Sequence, residues 1–234
     1  MISFLFFLFG GISGLIVHRY ATEFIPNLQR DIYQSYIECY PESPPNFDPK
    51  KAAFQPKKCG HFFLYFFFFS ILAVSLYSLL QHPALSLWLF IICTICLLIG
   101  LLDWYYQLIP TELCLILFFI GLFGAEQQFS SQPLVESLQS AVIFWGTFYL
   151  IYHLAKYFYR REALGRGDYW LMLGLGTFLK IEQLPTFLFL ACGFGIIVAL
   201  LIRCRSIPFA PCLCAATFTI LLISNTNPSM ILLR

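Results

Sequence analysis

Two acidic residues stand out because they are the only aspartates in the apolar body of the chain. The chain has four aspartates: Asp31 and Asp48 lie in a polar segment near the start, while Asp103 and Asp168 each lie at the end of a hydrophobic run. Ionisable groups at membrane depth are costly and are usually functional. Asp103 and Asp168 are therefore the candidate working pair.

Two carboxyl groups that are held close together cannot both ionise comfortably, so they share a proton. One carboxylate can then act as a base on a water molecule while the other carboxyl group donates a proton to a carbonyl oxygen. This is the chemistry of aspartic proteases, and it needs neither a metal nor a nucleophilic side chain. Its titration belongs to the pair rather than to either residue.

Asp168 ends a charged, glycine-containing turn at residues 162–168, which read E-A-L-G-R-G-D. Gly165 and Gly167 let the backbone turn tightly, which would carry Asp168 towards Asp103. Glu162 is a candidate to orient this loop or to tune the acidic pair.

Each acid also has a structural interpretation. Asp103 could simply mark the boundary of an apolar segment, with Trp104 and Tyr105 as interfacial anchors. Asp168 could be the N-cap of a helix that starts at Tyr169. The arrival of both acids at one face would favour the functional interpretation.

The composition identifies an integral membrane protein. Hydrophobic residues make up 59% of the chain, charged residues 11%, and the mean hydropathy is +0.78, whereas soluble domains carry roughly a quarter charged residues. The net charge of +2 gives no basis for nucleic-acid binding. Membrane lipid is the expected surrounding, and most cysteines lie within apolar runs, where they behave as small hydrophobic residues.

The hydrophobic pattern predicts an all-α, polytopic fold with about eight transmembrane helices. The apolar segments are 2–17, 62–80, 84–102, 109–124, 134–155, 169–179, 184–202 and 212–223. A spanning helix needs about 20 residues, so the segment 169–179 is too short by itself. It either extends through Lys180 to Leu184 or is re-entrant.

The basic residues predict which side the acids face. With eight spans and the N-terminus outside, 12 of the 14 lysines and arginines are cytosolic, as the positive-inside rule requires. If the segment 169–179 is re-entrant, the number of cytosolic lysines and arginines is unchanged. The distribution of charge therefore leaves the C-terminal topology open. In both arrangements Asp103 and Asp168 reach the cytosolic face.

We predict three parts: a first transmembrane helix at 1–17, a cytosolic loop at 18–60, and a membrane-embedded catalytic domain at 61–234. Five prolines, at positions 41, 44, 45, 49 and 56, are expected to break any long helix in this loop. A short helix is compatible with residues 22–40.

These motifs together resemble the type IV prepilin peptidases, a family of membrane aspartic proteases. Residues 162–168 are similar to the family's E-A-M-G-x-G-D signature, and Asp103 with Ile109-Pro110 resembles D-x5-[IL]-P-D. Gly10, Gly14 and Arg19 resemble the opening G-x3-G-S-F-L-N-V-x-x-x-R. Residues 207–211, I-P-F-A-P, resemble a late I-P-F-G-P.

The resemblance implies that Asp103 and Asp168 are catalytic. It implies cleavage of the leader peptides of prepilins or pseudopilins at the cytosolic boundary of the bacterial inner membrane. Many members also N-methylate the new N-terminus with S-adenosylmethionine, which leaves that second activity open here. Proteolysis itself would need no cofactor.

The chain departs from the family pattern at several positions. Thr111 replaces the acid that follows Ile-Pro, and Trp170 replaces a lysine after G-x-G-D. The cytosolic loop of many members carries two C-x-x-C pairs, whereas this loop has only Cys39 and Cys59. Two separate thiols do not make a zinc site, so no metal is expected.

Two rival functions remain, and the departures motivate the first of them. The chain could be a catalytically inactive relative that acts as a non-enzymatic subunit in pilus or secretion-system assembly. It could also be a small transporter that uses the acids as a proton relay, which would place them near the bilayer midplane rather than at segment ends.

Overall fold

The computed structural model describes residues 1–43, 48, 52, 54–130, 132–160, 164–202 and 208–226. Across these residues the fold is entirely helical, with no strand. The α-helices are α1 (Ile2–Cys39), α2 (Phe62–Leu80), α3 (Pro83–Tyr106), α4 (Thr111–Glu126), α5 (Leu134–Tyr159), α6 (Arg166–Leu175), α7 (Leu184–Ile202) and α8 (Ala210–Thr226). Two 3-10 turns, Gly176–Phe178 and Ile181–Gln183, join α6 to α7.

The predicted all-helical membrane fold is confirmed. Five helical segments in the described residues are long and apolar enough to cross a membrane, and they lie in α1, α2, α3, α5 and α7. The helices α4, α6 and α8 are shorter, with 16, 10 and 17 residues. The structure therefore contains a helix for every predicted segment, although only five meet the criterion for a full span.

Two helices extend beyond their predicted ends. The first helix does not stop at residue 17: it continues through the first half of the predicted loop to Cys39, with Pro26 inside it. The third helix continues past residue 102 to Tyr106, so Asp103 lies in its last turn rather than after it. It ends where Gln107 adopts a left-handed conformation with φ of 55° and donates its N–H to the carbonyl oxygen of Asp103 at 2.9 Å.

The chain divides into two compact units, residues 1–90 and 91–234, and the boundary falls inside α3. In the first unit, glycines on α1 allow a close approach to the backbone of α2: a Cβ at Gly10 would meet the carbonyl oxygen of Phe69, and one at Gly14 would meet that of Tyr65. Small residues let membrane helices pack this closely. The glycines of the opening motif therefore have a packing role.

In the second unit, α6 runs alongside α4 in the same direction. Gly167 lies against Ile109 before α4 begins, and Gly174 lies against Leu117 in the middle of α4. Further along, Thr177 lies against Gly121. The residues that carry Asp168 are thus aligned with the segment that follows Asp103.

The short segment 169–179 crosses this unit instead of turning back. Its α-helix ends at Leu175, and the rest of the crossing is made by the 3-10 turns rather than by a longer α-helix. Gln183 then donates a hydrogen bond from Nε2 to the Ser224 hydroxyl at 2.8 Å, near the C-terminal end of α8. The N-terminal end of α8 lies at Asp103. The segment therefore starts and finishes at opposite ends of α8, which favours a crossing over the re-entrant alternative.

Candidate active site

Asp103 and Asp168 line the same cavity, which has a volume of about 380 Å³. Both side chains are buried, with 6% and 5% of their surface exposed. The cavity is otherwise formed by the connection between α3 and α4 and by the first turn of α6. The structure thus brings together the two acids that the sequence singles out, although 65 positions separate them in the numbering.

Asp103 is oriented by the N-terminus of α8. The backbone N–H of Ala210 donates to Oδ2 of Asp103 at 2.9 Å. A buried carboxylate needs such partners because it loses its contact with water. The late I-P-F-A-P motif therefore lies at the first acid.

Asp168 is oriented by its own turn. The helix α6 begins at Arg166, with Gly165 as its N-cap, so the predicted start at Tyr169 is wrong by three residues. The N–H of Gly165 donates to Oδ2 of Asp168 at 3.0 Å, and the N–H of Asp168 donates to the Gly165 carbonyl at 3.2 Å. Asp168 therefore supports the helix start from its third position, while its carboxylate also faces the cavity.

The two glycines of the turn make room at the site. A Cβ on Gly167 would lie 2.5 Å from the Cβ of Ile109, which is closer than real side chains approach. A Cβ on Gly165 would lie 3.1 Å from Oδ2 of Asp168. Gly167 thus permits a close contact between the start of α6, which carries Asp168, and the segment that follows Asp103. Glu162, the third predicted supporting residue, lies outside the described residues.

An aromatic cluster between α5 and α6 holds the start of α6 in place. Trp170, which replaces the family's lysine, packs against Trp145 with ring centroids 6.3 Å apart, and Tyr169 packs against Tyr152 at 5.7 Å. Arg166 donates from Nε to the Tyr152 hydroxyl at 3.3 Å. Where the family has a charged lysine, this chain therefore has Trp170, whose aromatic ring packs beside the site. The other departure, Thr111, lines the cavity.

The environment raises the pKa of Asp168 to about 7. Burial is the main cause, because it disfavours the charged form, and the nearby charge of Asp103 adds to it. The Gly165 amide acts in the opposite direction. Asp168 lies outside the five candidate spans, and near neutral pH it can hold a proton while its partner is ionised.

The described residues contain no group of three or more metal-ligating side chains that could hold an ion. Cys39 is exposed at the end of α1, whereas Cys59 is buried and its Sγ lies 3.8 Å from the carbonyl oxygen of Ala21. One thiol therefore faces outwards and the other packs against a helix, which does not fit the zinc site of the family's paired cysteines.

Sequence reasoning missed the contact between Asp103 and the N-terminus of α8. The two partners are separated by 107 positions. A signal was present in the pattern of residues 208–211, because Pro208 and Pro211 have no N–H and leave the two residues between them as the available donors.

Comparisons with known proteins show the family to which the chain belongs. The type IV leader peptidase family matches residues 88–200. The chain is 44% identical over 213 residues to a prepilin leader peptidase/N-methyltransferase of Haemophilus influenzae, covering 90% of this chain and 93% of that protein.

More distant relatives match a smaller part of the chain. Leader peptidase HopD of Escherichia coli is 32% identical over 141 residues, which are 56% of this chain and 90% of that protein. A prepilin leader peptidase/N-methyltransferase of Pectobacterium carotovorum is 32% identical over 136 residues, 57% of this chain and 48% of that longer protein. No solved structure matches the chain.

Proposed function

The chain belongs to the type IV leader peptidase family and is a peptidase of that family; we propose that it cleaves the leader peptides of type IV prepilins or pseudopilins, with Asp103 and Asp168 as its catalytic pair. The observation that supports this proposal is the shared cavity, because two buried carboxyl groups line it together.

The pair performs hydrolysis with one proton between its two members. The ionised carboxylate removes a proton from water, whose oxygen attacks the carbonyl carbon of the peptide, while the protonated carboxyl group donates its proton to the carbonyl oxygen. The C–N bond of the tetrahedral intermediate then breaks as the nitrogen takes the proton that came from water. The other carboxyl group recovers its proton from the diol, so the enzyme returns to its starting state.

The active site faces the cytosol in this proposal, and the protein lies in the bacterial inner membrane. Both acids lie at helix ends rather than in the middle of long helices, which supports cleavage at the membrane boundary and argues against a proton relay at the midplane. The polar leader of the substrate would remain in the cytosol while its apolar helix stays in the bilayer.

Cleavage of a prepilin by the purified full-length protein in detergent tests the proposal. Asp103→Asn and Asp168→Asn should each reduce cleavage by at least about 1,000-fold, because either change leaves the pair without a base or without a proton donor. Asp31→Asn is the matched control, since Asp31 is exposed on α1. Full processing by either cavity variant would contradict the assignment. Absence of cleavage by the wild-type protein would favour the non-enzymatic subunit.

N-methylation of the new N-terminus is a second candidate activity. It is favoured by the name of the Haemophilus influenzae relative, which is similar over 93% of its length. Mass spectrometry of the product, with and without S-adenosylmethionine, tests it. A product heavier by one methyl group only in the presence of the cofactor would support methylation, and an unmodified N-terminus under both conditions would exclude it.

A further inference from the structure

The start of α8 has one backbone donor that the helix itself does not use. Pro208 and Pro211 have no N–H. The N–H groups of Cys212 and Leu213 both donate to the carbonyl oxygen of Phe209, at 3.0 and 3.1 Å. The N–H of Ala210 is therefore left in the first turn without a partner inside its own helix.

That donor is directed at Asp103. Ala210 donates to Oδ2 at 2.9 Å. The N-terminus of a helix carries a partial positive charge and favours an ionised carboxylate beside it. Hydrogen bonds from an N–H to a charged oxygen are also about twice as strong as those to a neutral one. This end of α8 thus stabilises Asp103 as a carboxylate.

The turn at residues 208–211 is held rigidly on both sides. The ring of Phe209 lies over Gly195 of α7, where an added Cβ would be only 3.3 Å from the ring. Pro211 lies 3.7 Å from the corresponding position at Gly100 of α3. Ala210 is completely buried between them. The packing fixes the donor relative to the carboxylate before any substrate arrives.

Asp168 has a different set of partners. Its carboxylate accepts from Gly165, a residue of its own turn. The described ionisable groups that line the cavity with the pair are Arg166 and Tyr169 on α6, and two thiols lie near the acids, Cys212 on α8 and Cys114 on α4. Asp168 also lies in the first turn of α6, whose N-terminus favours a carboxylate, so the difference is that Asp103 accepts from a separate helix whereas Asp168 accepts from its own turn.

We propose that the turn at 208–211 is a positioning element that keeps Asp103 as the ionised member of the pair, which makes Asp103 the base that activates water and Asp168 the donor of the proton. This inference rests on the proposed peptidase function and adds the division of roles. In the first step a proton passes from water to Asp103 while the Asp168 proton passes to the substrate carbonyl oxygen.

The decisive test removes the amide hydrogen of residue 210. Ala210→Pro does so at the first position of a helix, where proline is well tolerated, and Ala210→Gly is the matched control that keeps the N–H. Because the proline ring could disturb a buried position, a second variant replaces Ala210 with lactic acid by nonsense suppression in a cell-free system. That change exchanges the N–H for an ester oxygen and leaves the side chain unaltered.

The first readout is the pH dependence of prepilin cleavage. Loss of the donor should move the acidic limb of the kcat profile to higher pH by about 1 to 2 units. The free energy of a hydrogen bond to a charged group corresponds to a pKa change of about this size. KM should change less than about twofold, and the glycine control should keep the wild-type profile. An unchanged acidic limb in the ester variant would overturn the inference, as would a shift confined to the basic limb.

The second readout does not depend on cleavage. In the Asp168→Asn protein, Asp103 is the remaining acid of the cavity, and its ionisation can be followed by infrared spectroscopy of ¹³C-labelled aspartate. The ester at position 210 should raise the pH midpoint of this titration by as much as it shifts the acidic limb of kcat. An identical midpoint with and without the ester would reject the positioning role. A protein that cleaves no prepilin yet shows this shift would refute the peptidase proposal while retaining the contact between α8 and Asp103.

Discussion

At the scale of single residues, the buried carboxyl group of Asp168 links the chemistry of the site to the stability of the protein. An aspartate in an unfolded chain has a pKa of about 3.9, whereas the pKa of Asp168 in the folded protein is about 7. Between these values the folded state binds a proton that the unfolded state has released. The free energy of unfolding therefore decreases as the pH rises through this interval.

Asp168→Asn should remove the part of the pH dependence of the unfolding free energy that comes from this carboxyl group. The midpoint of thermal unfolding of the wild-type protein in detergent should fall between about pH 4 and pH 7, and the fall should be smaller in the variant. Asp31→Asn, on an exposed side chain of α1, should keep the wild-type slope. Equal slopes for wild type and Asp168→Asn would mean that the folded protein does not hold a proton on this residue at neutral pH.

The raised pKa of Asp168 also predicts how cleavage depends on pH. The proton on Asp168 is lost as the pH rises through about 7, so kcat should fall on the alkaline side of that value. Measurement of kcat from pH 5 to 9 with one prepilin substrate checks this. A rate that keeps rising up to pH 9 would contradict a role for protonated Asp168.

Gly167 is the residue whose replacement should separate the two halves of the site. Gly167→Ala places a Cβ 2.5 Å from that of Ile109, and such overpacking typically costs about 1–3 kcal/mol. Cleavage should fall by about tenfold or more, because the first turn of α6 must move away from the cavity. Adding Ile109→Ala to the same protein should restore part of the activity, which a cycle of single and double variants would quantify.

Gly146→Ala is the matched control for this experiment. No atom lies within 4 Å of a Cβ built on Gly146 of α5, and alanine is intrinsically more favourable than glycine in a helix. Its unfolding midpoint should equal or exceed that of the wild type. If Gly167→Ala behaved in the same way, the close contact with Ile109 would not matter for the site.

At the scale of the elements, α6 is the helix that depends most on its neighbours. It has 10 residues, which at 1.5 Å per residue cover about 15 Å. Isolated helices of this length are marginal in water, so its position is fixed by packing between α4 and α5. Glycines at 174 and 176 make this possible by letting α6 and the following 3-10 turn approach Cys114, Leu117 and Ala141 closely.

Gly176→Ala should therefore destabilise the protein at a distance from the acids. The added Cβ would lie 2.9 Å from the Cα of Ala141 and 3.0 Å from the Cβ of Phe144. We expect a loss of about 1–3 kcal/mol together with reduced cleavage, because α6 also carries Asp168. Gly193→Ala on α7, where nothing lies within 4 Å, should change neither unfolding in detergent nor cleavage. A neutral Gly176→Ala would show that α6 is not clamped at this point.

The existence of the helices could be predicted from sequence better than their ends could. Hydropathy reports which segments suit a bilayer, and every apolar segment became a helix. It does not report where a helix stops, because that depends on hydrogen bonds and on local backbone conformation. The end of α3 was placed too early since Trp104 and Tyr105 suggested an interface, whereas the helix continues until Gln107 adopts a positive φ.

The site, like the helices, could be predicted from the sequence only in part. Asp103 and Asp168 were identifiable because carboxylates are rare and costly in apolar sequence. Their backbone partners were not equally visible. The Gly165 amide lies three residues from Asp168 and follows from the local turn, but the Ala210 amide is supplied by a helix 107 positions away, and no local rule specifies that contact.

At the scale of the whole molecule, the acids lie where several helix ends of the second unit meet. The helix α3 ends there, while α6 and α8 begin there, since Asp103 contacts Ala210 and Gly167 contacts Ile109. The C-terminal part of α5 reaches the same end, because Tyr152 contacts Arg166. This end therefore also carries the basic residues Lys156 and Arg160, which the positive-inside rule assigns to the cytosol.

Labelling from one side of the membrane tests this orientation. Leu164→Cys introduces a thiol beside Gly165 at the acidic end, and Glu182→Cys introduces one in the turn before α7, next to Gln183, which contacts Ser224 at the opposite end. Both would be made in a background that carries Cys39→Ser and Cys192→Ser, which remove the exposed thiols of the described residues, and Cys204→Ser, because Cys204 lies outside those residues. A membrane-impermeant maleimide added to intact spheroplasts should label the Glu182→Cys variant, whereas the Leu164→Cys variant should react only after the membrane is opened.

The opposite labelling pattern would place the acids on the outer face, away from leaders that are still in the cytosol, and would contradict the proposed site of cleavage. Labelling of both variants from outside would mean that the segment between them does not cross the bilayer, although it runs from one end of α8 to the other. The experiment therefore separates an error in orientation from an error in the crossing itself. Only the expected pattern places the acidic pair at the boundary where a leader enters the membrane.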